Sequence, residues 1–315
     1  MIARTQHILR LEGPRVCSGK AGPAAVGGVL RQVEFAAKEA VRMAFRRSSR
    51  RPGRVPAWLS AAEDVKFVGL SPDEHGGTQL YFEAPKFGDV AEEPYREPTL
   101  FDPPPQQTDT AFDLLGDIIQ DISLNVEDSE RYDSGLLHRV GLLSGAALKR
   151  GINSIVLLGD RLSAASPPRI NSALAQSAKH LYRETPAPKR VRIAGKLDMI
   201  RDSDRVFNLI LDAGERLRAV WTGGDTAELA DYFKKSIVIS GTAVFRPSGT
   251  LLRVDAEAIA MAGAKDSFFS TMPKPAIRKP AVLRDRKKSG LAEVFGKWPG
   301  NESEEELLQA LKDMG

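Results

Sequence analysis

Reactive side chains are few and far apart. The 315 residues hold one cysteine, Cys17, and four histidines, His7, His75, His138 and His180. One thiol excludes an internal disulfide framework and any cysteine-based metal cluster. His7 precedes or enters a strand-like segment, His75 sits in a glycine turn, and His138 and His180 fall on helical patterns. No two of them have metal-ligand spacing, so each is expected to be structural or exposed. Asp113, Asp117 and Asp121 recur at i, i+4 and could present carboxylates to a divalent ion. Without carbonyl or histidine partners the expected reading is a solvated helix face. Gly19, Gly22, Gly27 and Gly28 lie in a break but lack the G-x-x-x-x-G-K-[ST] spacing that cradles phosphate. No G-x-S-x-G elbow or Ser-x-x-Lys segment occurs in a context that supports catalysis. The chain reads as non-catalytic, with no cofactor.

Charge is more informative than nucleophiles. Net charge is +4, from 45 Lys and Arg against 41 Asp and Glu, yet the signs are segregated. Residues 4–54 are basic, with a knot at Arg46, Arg47, Arg50, Arg51 and Arg54; residues 63–133 are acidic; residues 139–192 are basic again. Such blocks are either solvated, self-complementary faces or a basic surface for phosphate or an acidic partner.

The elements that would carry these groups suggest an α+β, multidomain chain, as its length also does at ~100–150 residues per domain. Residues 1–105 read as a strand at 7–12, a helix at 29–45 and strands at 64–70 and 78–84, followed by a proline-rich linker at 85–107. Residues 106–187 read as a helical segment. Its helices begin at Asp109, at Ser134 and at Arg169 after Pro167-Pro168, with a short apolar strand at 152–158. Residues 188–262 give three strands, a helix at 225–235 and two strands, the element order of an OB-like β-barrel. Gly241 in the fourth strand suits a bend or bulge. Residues 263–315 form a basic, proline-rich arm and a tail. No run approaches ~18 apolar residues and no apolar leader opens the chain, so cytoplasmic residence with no membrane contact is expected.

Two surfaces are candidates for binding. OB-folds hold single strands on a basic groove with aromatic platforms. The barrel segment offers Arg192, Lys196, Arg216, Arg218 and Trp221 for this, Arg216 and Arg218 sharing one strand face by the period of two. A scaffold or protein-docking barrel is the competing reading.

The tail is the denser signal. Phe295-Gly296-Lys297-Trp298-Pro299-Gly300-Asn301-Glu302-Ser303-Glu304-Glu305-Glu306 is followed by the apolar stripe Leu307, Leu308 and Leu311. Asn301 and Glu304 fit a capping box, and acids in the first turn suit the helix dipole. This run resembles the F-G-K-W-P-G-[DN]-E-x-[DES]-E-E segment of small bacterial antitoxin-like proteins encoded beside PIN-domain (VapC-type) ribonuclease toxins. The resemblance implies a PIN-type nuclease or similar protein as partner, with Leu291, Phe295, Lys297 and Trp298 as anchors. It also implies that Arg284, Arg286, Lys287 and Lys288 reach toward an acidic metal cluster on that partner. The alternative is that Trp298 folds back on the chain's own barrel as a cap.

Overall fold

The alternation of residues 4–12 becomes β1 (Arg4–Glu12), which turns His7, Leu9 and Leu11 to a buried face and Gln6, Ile8 and Arg10 to the other. In the computed structural model the described residues are 3–50, 55–74, 76–96, 103–162, 165–263 and 265–276. Residues 277–315 lie outside the described ones. A two-strand hairpin, β2 (Val16–Cys17) with β3 (Lys20–Ala21), leads into α1 (Pro23–Arg46). That helix is longer than the apolar pattern alone predicts because a proline is favoured in its first turn. It buries Val29, Val33, Ala36, Ala37 and Ala40 at helical spacing. After α2 (Ala57–Ala62), the expected hairpin forms from β4 (Lys66–Pro72) and β5 (Thr78–Pro85). A short α3 (Phe87–Val90) follows, then α4 (Ala111–Ser123), α5 (Ser134–Leu148), β6 (Ser154–Leu158), β7 (Arg169–Ile170) and α6 (Ser172–Glu184).

The sheet order is β4-β5-β1-β6-β7, antiparallel throughout. Strand, helix, two strands, helices, strand, with the first strand between the third and fourth, is a split β-α-β arrangement of ferredoxin-like type. Leu9, Leu11, Leu80 and Phe82 pack there in one core with residues of α1, α4, α5 and α6. Residues 106–187 are therefore not a helical segment apart from residues 1–105: β6 pairs with β1, and the helices pack on the face that Leu9, Leu11, Leu80 and Phe82 present. The described end of the proline-rich stretch belongs to the same layer, the Gln106 N–H donating to Asp109 and the Gln107 carbonyl accepting the Gly88 N–H.

The third helix starts later than expected. Arg169–Ile170 is a strand on β6, with Ile170 buried. Asn171 then caps the helix, its Oδ1 accepting the Leu174 N–H at 3.0 Å.

Residues 189–261 close a five-stranded barrel: β8 (Lys189–Arg201), β9 (Val206–Ile210), β10 (Arg216–Trp221), β11 (Ser236–Phe245) and β12 (Leu251–Met261). The first strand pairs with the second and fourth, and the third pairs with the fifth in parallel. That is OB-like topology. The expected helix at 225–235 is a 3-10 helix, Thr226–Tyr232, tightened by Asp225 bonding the Ala227 N–H two residues on. Gly241 sits at a register shift where its backbone passes against Asp255 and Ala256, so close that a Cβ would fall 2.1 Å from the Asp255 carbonyl oxygen. Among the described residues no helix is long and apolar enough to cross a membrane.

Candidate functional site

The barrel rests on the sheet layer, and their junction holds a buried ion pair, Arg253 with Asp133. Val244 and Leu252, from the ends of β11 and β12 that meet at the connecting turn, join the apolar core of the sheet layer. Beside them Arg253 is 4% exposed. It bonds Asp255 through Nε at 2.8 Å and Ser48 Oγ through NH2 at 3.1 Å, and faces Asp133 at 3.6 Å. Asp133 in turn caps α5 by accepting the Leu136 N–H, and it accepts from the Ser49 hydroxyl at 2.6 Å. One carboxylate thus ends a helix, ties the C-terminal end of α1 and balances a buried guanidinium.

The segment between α4 and α5 forms the rim of this junction. Asn125 takes a left-handed φ of 52°, and the fully buried Tyr132 anchors the loop, its hydroxyl donating to the Val126 carbonyl. Glu130 accepts from Arg246 at 2.7 Å and from Arg218 at 3.2 Å. Burial opposes its ionisation, but the charges of Arg218, Arg246 and Arg47 outweigh that and hold its carboxyl below the usual range. Asp128 accepts from both Ser248 and Thr250, and these two bonds lower its pKa. A cleft of about 330 Å³ opens next to Glu130, lined by α1, residues 103–106 and α4.

In that cleft Arg161 meets three carboxylates, Asp109 at 3.2 Å, Asp113 at 3.7 Å and Asp117 at 2.8 Å. The acidic ladder is therefore not a solvated face. Asp113 is 3% exposed and completes a capping box with Thr110, Asp117 is held by Arg161, and Asp121 bonds Arg131 and Ser129. Asp109 is pushed above its ordinary pKa, chiefly by burial, which the Arg161 charge opposes. Among the described residues no three His, Cys, Asp or Glu side chains group so as to hold a metal ion.

Behind the ladder lies His7, 1% exposed, with Nε2 at 3.0 Å from Thr110 Oγ1. The threonine hydroxyl donates to Asp113 at 2.8 Å, so it accepts from His7, and the imidazole carries its proton on Nε2. Burial lowers the His7 pKa against the opposing charges of Asp113 and Asp160. The order imidazole, hydroxyl, carboxylate has the look of a relay. Yet Thr110 is fully buried, so no substrate reaches its oxygen; the triad joins β1 to the start of α4.

Of the barrel residues expected to meet nucleic acid, Arg192, Lys196 and Arg216 are exposed, Arg218 is half-buried and Trp221 is buried. Arg192 lies on the outer face of β8, bonded to Asp266 at 3.1 Å and stacked over Phe269. Lys196 is exposed further along the same strand, and exposed Arg216 stands 4.0 Å from Asp198. Arg218 is spent on Glu130. Trp221 is not a stacking platform: it is 2% exposed inside the barrel, its Nε1 donating to the Asp225 carbonyl at 3.1 Å. The period of two put it on the inward face with Leu217 and Ala219, which is the signal that identifies it as core. Leu291, Phe295, Lys297, Trp298, Leu307, Leu308 and Leu311, with Arg284, Arg286, Lys287 and Lys288, lie outside the described residues.

Sequence reasoning did not single out Arg253, Asp133 or Glu130. The available signal was the segregation of charge: an acidic block at 127–133 and basic residues at 246 and 253 dock on each other. The knot near residue 50 is likewise partly absorbed within the fold, Arg50 and Arg139 both bonding Glu39. No family model matches the chain, nor does any curated protein or solved structure.

Proposed function

We propose that the chain is a non-catalytic binding protein whose C-terminal Trp-Pro-Gly segment engages a PIN-type nuclease or a protein with a similar acidic surface, as an antitoxin or targeting subunit. The observation that carries this reading is the segment at 289–311 behind the basic arm at 274–288. The arm has too few apolar residues to fold alone, and aromatic anchors such as Trp298 and Phe295 are the side chains that dominate interfaces. The compact unit ends at Ala276, within the first residues of that arm. The test is co-expression with a PIN-type nuclease, scored by growth rescue and co-purification. Binding lost on Trp298→Ala and on deletion from Ser289 supports the reading, and full binding by both variants removes it.

The strand order of the barrel favours a second reading, a single-stranded nucleic-acid-binding accessory protein. Filter binding across a salt titration decides it, because phosphate contacts are strongest at low salt. Absence of affinity at ~50 mM salt excludes it.

A further inference from the structure

OB-folds take oligonucleotides on the face of their second and third strands and on the loops after the first and fourth strands. Here those loops are residues 202–205 and 246–250, and both face the sheet layer. Arg218 of the third strand and Arg246 with Ser248 and Thr250 of the second loop are filled by Glu130 and Asp128. These are two guanidiniums and two hydroxyls converging on two carboxylates, the donor set that also suits phosphate oxygens.

We propose that this rim is a phosphate-binding site for single-stranded nucleic acid, and that Glu130 and Asp128 occupy it in the resting chain as an internal stand-in. The proposal rests on the second reading above. Two features separate the displaceable rim from the fixed junction. Asp128 and Glu130 lie on an exposed loop, whereas Asp133 is locked by the α5 cap, by Ser49 and by Arg253. The rim is also incompletely satisfied. Glu130 divides its two oxygens between Arg218 and Arg246, and the Arg246 Nε stays buried with no hydrogen-bond partner among the described residues. A strand phosphate brings ester oxygens as well as its two charged ones, and so offers that donor an acceptor. Glu130 also borders the 330 Å³ cleft with Arg47 and Arg131, so its removal leaves basic side chains along one continuous path.

The experiment is fluorescence anisotropy of a labelled oligothymidylate with the full chain at ~50 mM salt, where phosphate contacts are least screened. Glu130→Gln with Asp128→Asn is expected to bind at least tenfold tighter than wild type, and Arg218→Ala in that background to cancel the gain. Asp128→Asn alone, a change on the exposed loop, gives a smaller gain in the same direction and keeps the test open if the double variant folds poorly. Equal binding by wild type and both variants overturns the stand-in and leaves the second reading in place. No binding by any of them overturns both. A gain that survives Arg218→Ala overturns the assigned site, and variants that take up a polyglutamate peptide but not the oligonucleotide overturn its ligand.

Discussion

Arg253 and Asp133 face each other at 3.6 Å with side-chain exposures of 5% and 7%, one from the barrel and one from the head of α5. Removing one partner of such a pair strands the other in a low-dielectric setting, which typically costs about 3–5 kcal/mol. Asp133→Ala is expected at the top of that range, since it also removes a helix cap and the acceptor of Ser49. Arg253→Met should cost less, because Asp133 keeps its N–H and hydroxyl donors. Urea unfolding of the two variants checks the order; equal or reversed losses contradict the account of the junction.

His7 makes stability depend on pH. Its folded pKa lies below the ordinary 6.5 because burial disfavours the imidazolium, with Asp113 and Asp160 opposing. Below pH 6.5 the unfolded chain therefore binds more protons than the folded one, and stability falls as pH drops, by up to ~1.4 kcal/mol per unit. His7→Gln keeps a donor toward Thr110 and cannot titrate. Unfolding curves at pH 7, 6 and 5.5 should show a shallower slope for the variant, and identical slopes count against this role.

Thr110 closes the capping box of α4 and orients His7. Thr110→Val keeps the shape, removes the hydroxyl and is expected to cost about 1–2 kcal/mol, while Thr110→Ser costs a few tenths. Thermal melts of both variants test this, and the pH slope assigned to His7 should change in Thr110→Val alone.

Gly241 allows β11 to cross close to β12. Gly241→Val would drive a side chain into the Asp255 carbonyl and the Ala256 backbone, neither of which can move aside as a flexible side chain would. The expected loss exceeds about 3 kcal/mol. Retention of the wild-type urea midpoint would show that the strand has room that the bulge geometry denies.

Much of the fold was legible in local pattern. Period-two alternation located β1, β5 and the barrel strands, and the 3.6-residue stripe of Phe112, Leu115, Ile118, Ile119 and Ile122 located α4. Gly241 was readable as a bulge because only a missing side chain explains glycine inside a long apolar strand. Those features depend on neighbours within a turn or a strand, where backbone geometry and burial speak through spacing. The start of α6 was not legible, because a diproline and an N-cap compete for the same boundary.

What the sequence by itself determined is this set of elements, their order in the barrel and the segregation of charge into blocks. Which blocks meet was decided only in three dimensions. Pairing β6 with β1 merges two stretches that composition separates, because a sheet edge and an apolar face must be covered by whatever the chain can bring there. Docking the barrel's loops on the 127–133 segment turns Arg218, Arg246 and Arg253 from solvated cations into partners of Glu130 and Asp133. Charge interactions depend on distance and on excluded water, and neither is written in sequence spacing.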